Sequence, residues 1–354
     1  MDEYLEFESG SESSLNSNNN DENIIKKTVD FDLKMMMNSG HKGLIRSIKL
    51  DPSKNCKYYL TGSDDTTIRI WSTNKLRDIN SESKHYQTSL KGGHKMPVTD
   101  LLINSLQPNE IFSCSEDKLA LKWDLNKRKI TNQFFGHSSS IRTITDHPSI
   151  RDLIFTGSKD KTCKMWDSRA RSRELLSLTG HKDTVNKVLS FSTEPQVVTC
   201  SNDKTIRFYD LRQTGKCTKI ISYHSNPIRA MCKGSILEGD AFISASVNQV
   251  FSWDAIEGIP LTEFEIDTTV EDTGIINSLD IINEGNHLLM NTNNGFKLFD
   301  YFSGKRLGLN LNNDNDVDSN VVTTAYNQNL KFNNEDDKTV LISSLDKNLK
   351  IYTV

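Results

Sequence analysis

A polar frame that this chain repeats is what most limits the shapes it can take. Residues 157–167 read GSKDKTCKMWD, with Ser158, Asp160 and Trp166 at steps of two and six and His137 upstream. The frame returns as SDDTTIRIW (63–71), SEDKLALKW (115–123), SNDKTIRFY (201–209) and SLDKNLKIY (344–352). Gly-His pairs ending at His41, His94, His137 and His181 precede the first four copies, and a fifth histidine, His224, follows Tyr223. From His to Asp the spacing is 24, 23, 23 and 22 residues, so a unit of a little over forty residues is being copied. An active site does not occur five times in one chain. The repeated Ser, His and Asp therefore read as a brace, a set of buried polar groups that satisfy one another and fix geometry.

Within each unit the period is that of strands. Ile68 and Ile70 alternate with Thr67 and Arg69, and KTCKMW and KTIRFY repeat the alternation. The Asp turn joins this strand to YYLTGS (58–63), EIFSCS (110–115), LIFTGS (153–158) or QVVTCS (196–201). A first strand follows each His, as in IRSIKL (45–50) and VNKVLSF (185–191), and a fourth precedes the next His, as in ITNQFF (130–135). Each unit is thus predicted to be a four-stranded antiparallel meander. Such a unit, apolar on both faces, is not stable alone, but units placed radially cover one another and leave no long exposed edge. Turns at Asp65, Asp117, Asp160, Asp203 and Asp346, with the degenerate SASVNQVFSWD (244–254) and MNTNNGFKLFD (290–300), count seven blades. The last blade lacks an outer strand, and TVDFDLKMMM (28–37) is its natural donor. The predicted fold is all-β: a seven-bladed β-propeller over residues 28–354, closed by an N-terminal strand.

Composition narrows the setting. The apolar share of 35% suits a globular chain, and no stretch approaches the length of a membrane span or forms a secretory leader, so a cytosolic or nuclear protein is expected. The six cysteines (Cys56, Cys114, Cys163, Cys200, Cys217, Cys232) include no C-x-x-C pair, which suits reduced, packed thiols. Residues 1–30 carry a net −6 while the rest carries +2, and the polar, acidic residues 1–27 are expected to be disordered. No metal or cofactor is expected: the Asn- and Asp-rich stretch 310–320 lacks calcium-loop spacing, and no phosphate loop or metal cluster is present.

The residues that carry the frame resemble the WD40 repeat. Gly136-His137 with Trp166-Asp167, and Gly93-His94 with Trp123-Asp124, are similar to its two signature pairs. The resemblance implies that His, a Ser or Thr of the second strand, the turn Asp and the Trp hydrogen-bond in series. Carried over, this names His137, Thr156 or Ser158, Asp160 and Trp166, with His41, Asp65, Trp71, His94, Asp117, Trp123, His181 and Asp203 in the other blades.

A narrower resemblance covers nearly the whole array. GLIRSIKLDPS (43–53), IFSCSEDKLALKWDLNKRKI (111–130), IRTITDHPSIRDLIFTGSKDKTCKMWDSR (141–169) and SNDKTIRFYDLR (201–212) look like the pleiotropic-regulator family of spliceosomal WD40 proteins. A blade one residue short between Ser246 and Trp253 is a shared irregularity. The resemblance implies a non-catalytic scaffold of the Nineteen complex, acting in the nucleus in pre-mRNA splicing by docking proteins during spliceosome activation. Implied partners are splicing proteins of that complex, including a Myb-like splicing factor and an extended SNW-type scaffold, with the chain a monomer inside a large assembly. Departures are Asn248 and Asn293 for turn Asp, Tyr209, Phe299 and Tyr352 for Trp, the missing Gly-His before the last two blades, and a short N-terminal region. An alternative rests on WDSR (166–169) and YDLR (209–212), which look like the ending by which some WD40 proteins attach to cullin-RING ubiquitin ligases as substrate receptors.

Two surfaces are candidates for partners. Five residues after each His stand Arg46, Thr99, Arg142, Asn186 and Arg229. These begin the innermost strands, so Arg46, Arg142 and Arg229 should rim the channel on the face of the Asp turns and grip an acidic or extended segment. On the opposite face Lys127, Arg128, Lys129, Arg169, Arg171 and Arg173 fall in adjacent loops, a candidate contact for an RNA or phosphate backbone.

Overall fold

The computed structural model describes residues 28–53, 55–73, 86–170, 174–192, 197–234, 240–266, 275–282, 285–311, 321–326, 339–344 and 347–353. Residues 1–27, the turn Asp346 and the cations Arg171 and Arg173 lie outside them. The described strands form seven sheets, each a blade. The first strands are Ile45–Leu50, Val98–Ile103, Ile141–Asp146, Val185–Ser190, Ala230–Lys233, Ile276–Ile282 and Val321–Tyr326. Each contacts the first strand of the next blade, and the seventh returns to the first, so the ring closes around a central channel.

Burial follows position in the blade. Second strands such as Val197–Ser201 are buried on both faces, because a neighbouring blade covers each side. Fourth strands such as Lys129–Phe134 alternate exposed and half-buried residues, since they form the outer wall. Among the described residues the core is seven apolar clusters, one at each seam between adjacent blades. The seams are tight: a Cβ on Gly157 would stand 2.8 Å from Val185 Cγ1 of the next blade. Cys114 and Cys200 fill the equivalent small-residue place, fully buried, and burial pushes the Cys200 thiol up to about 12. All six cysteines are free thiols.

The N-terminal strand, Thr28–Asn38, closes the ring. Asp32 to Asn38 pair antiparallel with Thr353 to Asn348, the third strand of blade 7, with a bulge between Leu33 and Met35. Its first half runs past that strand, and here the blades depart from the uniform meander. Blade 6 is a three-stranded sheet, and the segment that follows it, Gly308–Leu311, pairs parallel with Thr28 to Phe31 instead of lying along its own blade. The overhanging strand offers unpaired backbone groups, and Gly308–Leu311 satisfies them. A short link joins it to blade 6, where Leu307 N donates to Leu298 O at 2.9 Å and Arg306 bridges Phe299. Phe31 seals the junction, fully buried with its ring 5.4 Å from Phe296 of blade 6 and 6.4 Å from Tyr352 of blade 7.

Phe31→Ala removes this seal and leaves a cavity at the closing seam, so chemical denaturation should show a loss of about 3–5 kcal/mol. Met36→Ala, on the exposed side of the same strand, should stay within about 0.5 kcal/mol of the parent.

Candidate functional site

Each full brace is drawn from four places in a blade. In blade 3 His137 Nδ1 donates to Asp160 Oδ2 at 2.6 Å, His137 Nε2 meets Thr156 Oγ1 at 2.8 Å, and Trp166 Nε1 donates to Thr156 Oγ1 at 2.8 Å. Blade 1 joins His41, Asp65, Thr61 and Trp71 by three bonds of 2.9 Å. Blade 2 joins His94, Asp117, Ser113 and Trp123 at 2.9, 2.8 and 2.9 Å. In blade 4 His181 meets Asp203 at 2.8 Å and Thr199 at 2.7 Å, while Tyr209 turns its hydroxyl to the Thr179 carbonyl. The series is self-consistent in one direction: indole N–H to hydroxyl oxygen, hydroxyl to Nε2, Nδ1–H to carboxylate.

Of the two hydroxyls left open in blade 3, Thr156 is the one in the series. Ser158 instead accepts the Asp160 N–H and donates to the Ser140 carbonyl, closing the turn. Burial opposes ionisation of the turn aspartates, but bonds from histidine, threonine and backbone N–H outweigh it and hold Asp65, Asp160 and Asp203 well below the usual carboxylate range. The four histidine side chains are at most 2% exposed, so these Ser or Thr, His and Asp sets are spent on the fold.

The contracted blade 5 redistributes the duties of the missing aspartate. His224 keeps Ser244 at 2.7 Å, and Trp253 donates to Ser244 at 2.8 Å, but Nδ1 faces Ser246 at 3.1 Å. Gln249 Oε1 accepts the Ser225 N–H, a bond made elsewhere by the turn carboxylate, and Asn248 accepts from Asn226. With no carboxylate opposite, burial lowers the His224 pKa to about 4.

The channel mouth is built by a repeated irregularity. In six first strands the second residue stands outside the pairing as a bulge: Arg46, Thr99, Arg142, Asn186, Asn277 and Val322. A bulge re-aims a side chain while the strand stays paired on either side of it. Arg229 stands just before its strand, whose first pair is Ala230 with Ala245. Arg46 is held by Asp64 through two bonds of 2.6 and 3.0 Å, and Arg142 lies 3.7 Å from Glu116. Arg229 is exposed. Burial lowers the Arg142 pKa, the nearby Arg46 and Arg229 guanidiniums add to this, and Glu116 offsets part of it, so the three arginines feel one another.

Sequence reasoning missed a fourth rim cation, Lys159. The residue before the turn Asp is Asp64, Glu116, Lys159 and Asn202 in blades 1 to 4, so acids stop after blade 2. Arg142, Lys159 and Arg229 then line a cavity of about 260 Å³ with Thr184, Asn186 and Asn202. Deeper in the channel, fully buried Asp100 accepts from Ser47 at 3.0 Å, Thr143 at 3.1 Å and Lys187 at 3.0 Å, tying blades 1 to 4 together. Its three partners lie 53, 43 and 87 residues from it along the chain, so no local pattern announces them.

The opposite face holds the other predicted patch in a different state. Asn132 Nδ2 donates to the Ser168 and Ala170 carbonyls, so the loops of blades 2 and 3 are neighbours. Arg169, however, is clamped by Asp167 at 3.1 and 2.9 Å, and Lys127 lies 3.4 Å from Asp124, while Arg128 and Lys129 are exposed. Arg212 folds back on Asp210 in the same way as Arg169, at 3.1 and 3.0 Å. Both Trp/Tyr-Asp-x-Arg endings thus close on their own aspartate.

Thr156→Val leaves His137 Nε2 and Trp166 Nε1 unpaired and should cost about 1–3 kcal/mol in denaturation, whereas Ser158→Ala should leave the His137–Trp166 link intact by NMR. The buried His224 predicts a pH dependence. A histidine whose folded pKa is lowered stabilises the fold fully above its ordinary value of 6.5, and the contribution is lost as pH falls toward about 4. Asp280, pushed up to about 6 by burial, works in the opposite sense over the same range. In an Asp280→Asn background, His224→Gln should therefore flatten the fall in unfolding free energy between pH 7 and 4.

Comparison with known proteins agrees with this geometry. The WD domain, G-beta repeat family matches residues 34–72, 128–167 and 172–210. The chain is 25% identical to nuclear distribution protein nudF of Aspergillus niger over 59% of its own length and 48% of that protein. It is 27% identical to a guanine nucleotide-binding protein subunit beta of Nicotiana tabacum over 43% and 41%, and 26% identical to WD repeat-containing protein 37 of Mus musculus over 49% and 41%. It spans about half the length of the curated relatives it matches. What this ring repeats is the WD unit: the chain folds as a seven-bladed β-propeller that carries WD40 repeats.

Proposed function

We propose that this propeller is a non-catalytic docking scaffold of the Nineteen complex, acting in the nucleus in pre-mRNA splicing. The docking part rests on one observation: the braces are buried and satisfied within their blades, while Arg142, Lys159 and Arg229 stand around a cavity at the channel mouth. Cations that face outward there are open to another molecule. Arginine forks match carboxylates and phosphates, so an acidic or extended segment of a splicing scaffold, of the SNW type, is the occupant this rim favours. The splicing part is supported by the segments and the contracted blade that resemble the pleiotropic-regulator family. The relatives bear names from several settings, which speaks for the repeat rather than for any one pathway.

Affinity purification of the tagged chain from its source cell, with proteins and RNA both identified, tests the reading. Splicing proteins and U-rich small nuclear RNAs should co-purify, and joint charge reversal of Arg46, Arg142 and Arg229 should deplete them. Recovery of a cullin adaptor in their place, or undiminished recovery with the reversed rim, would count against it.

A further inference from the structure

The charge of the rim is lopsided, and its bare side has the form of a site. The acids of blades 1 and 2 each meet a rim arginine: Asp64 is doubly bonded to Arg46, and Glu116 reaches toward Arg142 of blade 3 at 3.7 Å. Past that point the acids give out. Lys159 takes the place that Asp64 and Glu116 hold in the earlier blades, and among the described residues no acid lines the cavity it shares with Arg142 and Arg229. Asp183, next to it in the chain, is occupied by the N–H and hydroxyl of Thr184.

We propose that this cavity is a phosphate site that receives a phosphorylated serine or threonine side chain of a docked protein. The inference rests on the reading that this face docks proteins, and it adds the chemical class of what is read.

Three features favour a phosphoryl group over a carboxylate. The first is charge: Arg142, Lys159 and Arg229 converge with no acid among the described residues of the lining, the acid in reach being Glu116 at 3.7 Å from Arg142, and a phosphoryl group carries about −1.5 to −2 where a carboxylate carries one charge. Direction is the second. Arg142 and Lys159 approach from blade 3, Arg229 from the start of blade 5, and the blade 4 amides Asn186 and Asn202 lie between. A tetrahedral group with three acceptor oxygens can meet donors from all of these sides at once, whereas a carboxylate accepts best in its own plane through two oxygens. The third is that the site is already set. Asn186 Nδ2 donates to both Asn202 Oδ1 and the Ile228 carbonyl, each at 2.7 Å, which bridges blades 4 and 5 and leaves the Asn202 amide hydrogens as donors. At about 260 Å³ the cavity suits one side-chain head rather than a length of chain.

Degenerate peptide libraries with a fixed central phosphoserine, serine or glutamate, passed over the immobilised full chain, test this directly. The phosphoserine library should be retained about tenfold better than the glutamate library, and inorganic phosphate should compete. Lys159→Glu and Arg229→Glu should each abolish that preference, while Lys204→Glu, a turn lysine on the same face outside the cavity, should keep it. Equal retention of phosphoserine and glutamate, or an unchanged preference in the two cavity variants, overturns the site. Purification from lysate with and without phosphatase treatment separates the two levels of the argument. Partners lost on treatment support the site, partners kept on treatment overturn it while the docking reading stands, and no partner in either lysate overturns both.

Discussion

A blade that is apolar on both faces has to be covered on both, and that requirement governs everything else in this protein. Seven seam clusters meet it only because the first strand of blade 7 packs on that of blade 1 and the N-terminal strand completes the last sheet. Remove the closure and two blades each expose a core face to water. Hydrophobic burial of this kind is strong but has no direction. It makes the blades stack without fixing how far each rotates about its neighbour.

Direction comes from the braces. An indole N–H, a hydroxyl, an imidazole and a carboxylate linked in series connect the third strand, the second strand, the loop between blades and the turn. Buried in a low dielectric, each bond is strong and each unpaired member is costly, so the set tolerates little displacement. Blade 5 shows how the constraint survives sequence drift: a one-residue contraction moves the turn carboxylate's two duties onto Ser246 and Gln249, and burial lowers the His224 pKa to about 4. The rigid frame that results can carry variable residues at the bulges and turns of one face, and there the chain differs from blade to blade: arginine, threonine, asparagine or valine at one position, aspartate, glutamate, lysine or asparagine at another.

Much of this was legible in the residues. The fixed spacing from His41 to Asp65 and its copies located the blades, the alternation of Ile68 and Ile70 set the strand faces, and the lack of a final outer strand pointed to residues 28–37 as the closing piece. Less legible were the places where two distant segments choose each other. A four-stranded meander in every unit would put the strand after Gly295–Asp300 in blade 6, yet the overhang of Thr28 to Phe31 offers Gly308–Leu311 unpaired backbone, and it goes there. Arg169 reads as a free cation in its loop until Asp167 and Asp152 are placed around it.

Sequence alone determined what repeats: the strand period, the brace residues and the number of blades are local patterns, and local patterns are written in order along the chain. Tertiary structure decided what those repeats leave over. Whether a rim arginine is neutralised, as Arg46 is by Asp64, or stands with Lys159 and Arg229 around a cavity without acids depends on which side chains the ring brings within a few ångströms. Electrostatic interaction falls off with distance in space: residues 142 and 159 meet inside blade 3, and residue 229 joins them only when blades 3, 4 and 5 stand side by side.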